Sequence, residues 1–93
     1  MPVRDTSMIA YFDKVLPHLS DSQARVYKVF QRWNDLNFTN AEVARELGLP
    51  INHITPRTGE LRDLGLIVEC GRRVCRVTGN MAYCKRLVNR SGL

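Results

Sequence analysis

A chain of 93 residues, 44% hydrophobic and 25% charged, has material for one modest core, which argues against an active-site cleft between domains and excludes a disordered, collagen-like or disulfide-scaffold class. The formal net charge of +5 is unevenly spread: beyond Glu69 stand Arg72, Arg73, Arg76, Lys85, Arg86 and Arg90 without one acid, a stretch that suits a polyanion or, equally, forms a solvated face. No apolar run approaches the roughly 18 residues of a membrane helix, and Asp5 and Asp13 fall where a signal peptide is basic and then apolar, so a cytoplasmic protein without membrane contact is expected.

The first predicted element is a leading helix within residues 1–19, where Met8, Phe12, Val15, Leu16 and Leu19 recur at helical spacing and Pro17 ends or kinks the segment. Ser20-Asp21-Ser22-Gln23 is a capping box, and Val26, Tyr27, Phe30 and Trp33 fall on one face of the helix it opens, over about residues 21–34. Leu36-Asn37-Phe38 suits a short edge strand. Thr39-Asn40-Ala41-Glu42 repeats the capping device before a short helix with Val43, Ala44 and Leu47 inward and Gly48 as a left-handed stop.

A further helix over 52–65 has Ile54, Thr58, Leu61, Leu64 and Gly65 on one stripe. It contains Pro56, which a cap at His53 or a later start would place in the first turn, where a missing amide costs nothing. Leu66–Cys70 and Val74–Thr78 then read as a hairpin with Gly71-Arg72-Arg73 at its tip. Met81–Val88 either extends the second strand or forms a closing helix. The whole of 1–93 makes a single domain: leading helix 1–19, helical core 20–65, wing and C-terminal segment 66–88. Phe30, Trp33, Leu47, Ile54 and Leu61 are expected in the core.

The order of helix, short helix, glycine turn, longer helix and basic hairpin resembles the winged helix-turn-helix, an α+β fold with three core helices, here preceded by an extra one and followed by a wing of two or three strands. Ala44 and Gly48, with Val43, Leu47, Leu49 and Ile54 around them, match the helix-turn-helix signature: a small residue for close helix approach and a glycine for the turn. Leu61-Arg62-Asp63-Leu64-Gly65-Leu66-Ile67 is similar to the passage from recognition helix to wing in MarR-like and LexA-like repressors. Ile54-Thr55-Pro56-Arg57, with Glu60 and Leu61, and Cys75-Arg76-Val77-Thr78-Gly79 resemble runs in short phage and prophage winged-helix proteins.

The resemblance implies a protein that binds duplex DNA to regulate transcription or replication in a phage or mobile element. The outward side of the third core helix carries Asn52, Thr55, Pro56, Gly59 and Asp63, with Arg62 and Glu60 on its flanks. Asn52, His53 and Thr55 near its start are candidates for base-edge or phosphate contacts; for Asn52 the alternative is an N-cap. Gly59 leaves room for a close approach. Arg57 either reaches a phosphate or pairs with an acid. Arg72 and Arg73 at the hairpin tip, and Arg76 one strand position in, are candidates for backbone or minor-groove contact. Thr39 and Asn40, starting a helix, are candidates for phosphate anchoring.

Catalysis finds little support: His18 and His53 stand in no recognisable relay, and there is no glycine-rich phosphate loop. Cys70, Cys75 and Cys84 lack the close pairing and the fourth ligand of a structural zinc site, so neither metal nor cofactor is expected, and an odd number of cysteines fits reduced thiols. A tight Arg72-Arg73 turn would bring Cys70 and Cys75 face to face. Two further partners stay open. Acids on the recognition helix suit a module that inhibits a host protein complex, and the surplus of apolar residues Met8, Ile9, Tyr11, Phe12 and Val15 allows a homodimer through the leading helix.

Overall fold

The computed structural model describes residues 10–88. The described part of the leading helix, α1, covers residues 10–15 and runs into a 3-10 turn at Leu16–His18. There follow α2 (Asp21–Arg32), β1 (Asn37–Phe38), α3 (Asn40–Leu47), α4 (Ile51–Asp63), β2 (Ile67–Val74) and β3 (Met81–Leu87). The strands form one antiparallel sheet in the order β1-β3-β2. This is the α+β winged-helix arrangement, with β1 as the third strand of the wing sheet.

Both capping boxes form. Ser20 Oγ accepts from the Gln23 amide at 3.2 Å while Gln23 Oε1 takes the Ser20 amide at 2.9 Å. The amide of Glu42 donates to Thr39 Oγ1 at 3.2 Å and the Thr39 amide donates to Glu42 Oε1 at 3.0 Å. Each box satisfies two amides that a helix start otherwise leaves orphaned. At the far end of α3, Gly48 takes φ 67°, the left-handed conformation that glycine adopts without steric cost. The amide of Leu49 then reaches back to the Ala44 carbonyl at 3.0 Å.

The helices and the sheet enclose one core of Phe12, Val26, Tyr27, Val29, Phe30, Phe38, Val43, Ala44, Ile54, Leu61, Leu66 and Ile67. Phe30, Ile54 and Leu61 are wholly buried, as their spacing requires. Trp33 and Leu47 are half-buried at its margin, Trp33 tilted against Phe38 with ring centroids 6.0 Å apart. Of the apolar residues expected to be surplus on the leading helix, Phe12 is 1% exposed in the chain's own core, and the Tyr11 hydroxyl donates to the Leu64 carbonyl. Met8 and Ile9 lie outside the described residues.

Two expectations are corrected. The first concerns α4, which starts at Ile51 and not at or after His53. Pro50 is its N-cap, extended at φ −62°, ψ 147°, and its carbonyl receives the His53 amide at 3.0 Å. Asn52 is therefore inside the helix and not its cap, and Pro56 lies in the second turn. Without an N–H, Pro56 leaves the Asn52 carbonyl without an intrahelical donor. That side of the helix is exposed at Asn52, Thr55 and Pro56, so water can satisfy the carbonyl.

The second correction concerns the wing. Gly71-Arg72-Arg73 is no hairpin tip: β2 continues through it, with a register shift between Glu69 and Gly71. Gly71 has φ 123°, so the glycine serves the bulge and not a turn. The turn lies beyond Val74, where the Cys75 amide donates to the Asn80 carbonyl at 2.8 Å and the Gly79 amide to the Cys75 carbonyl at 2.9 Å. Residues 81–87 form a strand of their own, neither an extension of the expected Val74–Thr78 strand nor a closing helix: Val74 ends β2, and residues 75–78, Arg76 among them, lie in the turn. Arg72 and Arg73 stand within the strand, opposite Tyr83 and Ala82. Cys70 and Cys75 do not face each other.

Because Leu61 is 0% exposed among helix and sheet residues, Leu61→Ala should cost about 2–5 kcal/mol of unfolding free energy in urea melts. A loss under about 1 kcal/mol would mean that α4 is not packed on this core.

Candidate nucleic-acid interface

The capping box of α3 fixes the Glu42 carboxylate at the helix start, beside the wing. Its oxygens accept from more than the box. Arg73 Nη2 donates to Oε1 at 2.6 Å and Nη1 to Oε2 at 2.7 Å, a two-pronged ion pair, and the Arg76 amide donates to Oε2 at 2.9 Å. The same guanidinium donates through Nε to Asn37 Oδ1 at 2.7 Å and through Nη2 to the Asn37 carbonyl at 3.1 Å. One carboxylate and one guanidinium thereby join α3, β1 and the wing. Burial raises the Glu42 pKa, but the hydrogen bonds from Arg73 and from the Arg76 and Thr39 amides outweigh it and hold the carboxyl at about 2.

Thr39 is 1% exposed. Its hydroxyl accepts from the Glu42 amide and lies 3.0 Å from Cys75 Sγ, which tethers the wing turn to the same helix start. Burial pushes the Cys75 thiol up, yet the Thr39 hydroxyl, the amides of Thr78 and Val77 and the Thr78 hydroxyl together bring it down to about 7. Cys70 and Cys84 meet elsewhere, on the strands, so the three cysteines do not converge on one point.

Asn40 joins the wing to α4. Its Oδ1 accepts from the Thr58 hydroxyl at 2.9 Å and from Lys85 Nζ at 3.2 Å, and its Nδ2 donates to Thr55 Oγ1 at 3.5 Å. Lys85 is 9% exposed; burial lowers its pKa, with Glu69 opposing. By register, Arg72 opposite Tyr83 and Val74 opposite Met81 share the β3 face that carries Lys85. The exposed turns of α4 and this face of the wing therefore adjoin. Arg72 lies over the Tyr83 ring at 5.4 Å, a cation–π contact that leaves its charge facing solvent.

The candidates named from the sequence divide into two groups. Asn52, His53 and Thr55 are exposed on the first turns of α4, and Asn52 and His53 border a groove of about 390 Å³ that Arg25 of α2 also lines. Arg72 and Arg76 are exposed on the wing, and among the described residues the Arg76 guanidinium has no hydrogen-bond partner. The others are engaged. Thr39 is buried, Asn40 serves Thr58 and Lys85, and Arg73 is bound to Glu42. Arg57 pairs with Glu60 at 3.0 Å, the ion-pair alternative, and Arg62 with Glu69 at 3.0 Å and Asp63 at 3.6 Å. These pairs engage Glu60, Glu69 and Asp63; the Asp63 side chain, 75% exposed and 3.6 Å from Arg62, is the most open of the three.

Glu42, Lys85, Tyr83 and Arg25 are not apparent from the sequence as parts of this surface. Glu42 carries a signal, since a carboxylate in a capping box spends only part of its accepting capacity on the box. Its other partners lie more than thirty residues away, beyond any local pattern.

No protein-family model matches the chain, and no curated protein matches it in sequence. Among solved structures it is similar to a chain described as a possible transcriptional regulator from Methanosarcina mazei Go1, with a TM-score of 0.69 at 13% identity, over 90% of this chain and 68% of that one. That likeness shows the winged-helix fold. Among the described residues no helix is long and apolar enough to cross a membrane.

The lowered Glu42 pKa makes the latch pH-dependent in a defined direction. A carboxyl at about 2 when folded and 4.5 when unfolded stabilises the fold fully above 4.5 and loses that contribution as pH falls through about 2. Glu42→Gln should therefore lower stability by about 3 kcal/mol at neutral pH, and urea melts across an acid series should show the deficit shrinking below pH 4.5. A deficit that stays constant down to pH 2 would contradict the ion pair as described.

Proposed function

We propose that the chain binds duplex DNA as a regulator of transcription or replication in a phage-like mobile element. The observation that carries the reading is the junction, through Asn40, of an exposed polar turn of α4 at Thr55 with the wing face that carries Arg72 and Lys85. In this reading α4 enters the major groove with Asn52, His53 and Thr55 foremost, and Arg72 and Arg76 meet the sugar-phosphate backbone or minor groove. Arg62 and Arg57 border the contact from their ion pairs. Thr39, Asn40 and Arg73 shape the surface from within. The ion pairs favour this reading because Glu60 and Glu69 no longer present bare charge to phosphates. The mobile-element origin is supported by the Ile54–Leu61 and Cys75–Gly79 runs.

A second reading, a module that inhibits a host protein complex, is favoured by the exposed apolar side chains Val74, Met81 and Tyr83, 55–57% accessible on the wing. A salt series separates the two. Joint replacement of Arg72 and Arg76 by Ala, with Arg73 left to hold Glu42, should weaken binding to specific and random duplex alike in fluorescence anisotropy. The slope of log affinity against log salt should flatten by roughly 0.9 for each phosphate that the wing no longer neutralises. Asn52→Ala should instead cost about 1–3 kcal/mol on one preferred sequence and leave random duplex nearly unaffected. A double variant that binds duplex like the parent, with the same slope, would remove DNA from the wing and bring the protein-binding reading forward.

A further inference from the structure

Cys70 and Cys84 lie against each other across the wing strands, Sγ to Sγ at 3.4 Å, at the register shift between Glu69 and Gly71. We propose that this pair is a thiol–disulfide site that reacts with small oxidising disulfides such as glutathione disulfide and closes to a Cys70–Cys84 bond across the root of the wing. This inference does not depend on what the wing binds.

The geometry assigns the two sulfurs different parts. Cys70 is exposed and can be reached from solvent; Cys84 is 4% exposed, with its thiol donating to the Gly71 carbonyl at 3.3 Å. In the first step the Cys70 thiolate attacks one sulfur of glutathione disulfide. That S–S bond breaks, a Cys70–glutathione mixed disulfide forms, and one glutathione leaves. In the second step the Cys84 thiolate attacks Cys70 Sγ, expels the second glutathione and forms the intramolecular bond. The chain gives up two protons and two electrons, which the oxidant takes as two glutathione thiols. Closing from 3.4 Å to a bond of about 2.05 Å needs about 1.4 Å of sulfur movement, within reach of side-chain rotation at a bulge.

Access and placement argue for this pair over any other. Cys75, 1% exposed, is turned into the Thr39 contact at the far end of β2 and is not positioned to resolve a mixed disulfide on Cys70. Burial and the contact with Cys84 raise the Cys70 thiol, with Arg86 and Arg73 opposing, so exchange begins from a minority thiolate and is slow at neutral pH. The bond ties β2 to β3 where their register shifts, and so fixes the angle at which the outer wing leaves the sheet.

The test uses the full chain, incubated overnight with glutathione disulfide, alkylated and digested with trypsin, which separates the cysteines into peptides 63–72, 74–76 and 77–85. Mass spectrometry should find 63–72 joined to 77–85 with the loss of two hydrogens, and Cys75 alkylated. In Cys84→Ser, which lacks the resolving thiol, glutathione should remain on Cys70. Concentrated urea should scramble the link, so that Cys70–Cys75 and Cys75–Cys84 also appear. A native chain that keeps glutathione on Cys70 beside an alkylated Cys84 would overturn the proposal. So would a link found only between chains, or a native pattern as mixed as that in urea.

Discussion

The carboxylate of Glu42 and the guanidinium of Arg73 hold the wing to the helices, and most of the interface geometry follows from that pair. Two charges with side chains 7% and 24% exposed are costly to desolvate, and the cost is offset because every strong donor around the carboxylate points at it. The amides of Thr39 and Arg76 complete the set. Arg73 reaches beyond the carboxylate to Asn37 on β1, so the same group that ties the wing to α3 also ties it to the third strand. An arginine in such a position is not available to a phosphate. Its charge is used to place Arg72 and Arg76, its neighbours in the chain, on an open surface.

Around this latch the molecule handles the peculiarities of α4. Proline in a second turn removes a backbone bond, and Gly59 adds a poor helix former in the same helix. Both are tolerated because the buried stripe of Ile54, Thr58 and Leu61 is packed whatever the outer side does. A Cβ at Gly59 would meet nothing within 4 Å, so the glycine leaves open space on that helix and is not forced by contact with the chain itself. The Thr55 hydroxyl donates to the Ile51 carbonyl at 3.2 Å and receives Asn40, bracing the turn that precedes the proline. Asn40 of α3 thus braces α4 at Thr55 and Thr58 while the inner stripe is held by the core.

What is legible in the sequence is local. Both capping boxes, the glycine stop of α3 and most inward residues of α2 through α4 can be read because each depends on neighbours within one helical turn; Gly65, expected on the buried stripe, lies exposed past the end of α4. The wing turn lies away from its expected place for a physical reason: Gly71 beside two arginines looks like a turn, but a glycine at positive φ serves a bulge as readily as a turn. Which of the two it adopts is decided by distant partners, among them Glu42 for Arg73 and Cys84 for Gly71. The start of α4 differs from expectation because a proline does not need the first turn; an exposed second turn with hydrated carbonyls accommodates it. Of the candidate contacts, Asn52, His53, Thr55, Arg72 and Arg76 stand open. Thr39 and Arg73 suit a phosphate by type and charge, but Glu42 claims them both: Thr39 through the capping box that the sequence displays, Arg73 through a pairing between distant residues that no local pattern reveals.

The coupling between Glu42 and Arg73 carries the placement of the wing, and a double-mutant cycle measures it directly. Unfolding free energies of the parent, Glu42→Gln, Arg73→Gln and the double variant, from urea melts at neutral pH, should give an interaction energy of about 2 kcal/mol or more. The double variant would then be little worse than either single one. An interaction energy below about 0.5 kcal/mol would mean that the two side chains act independently, and that something other than this ion pair holds the wing against α3.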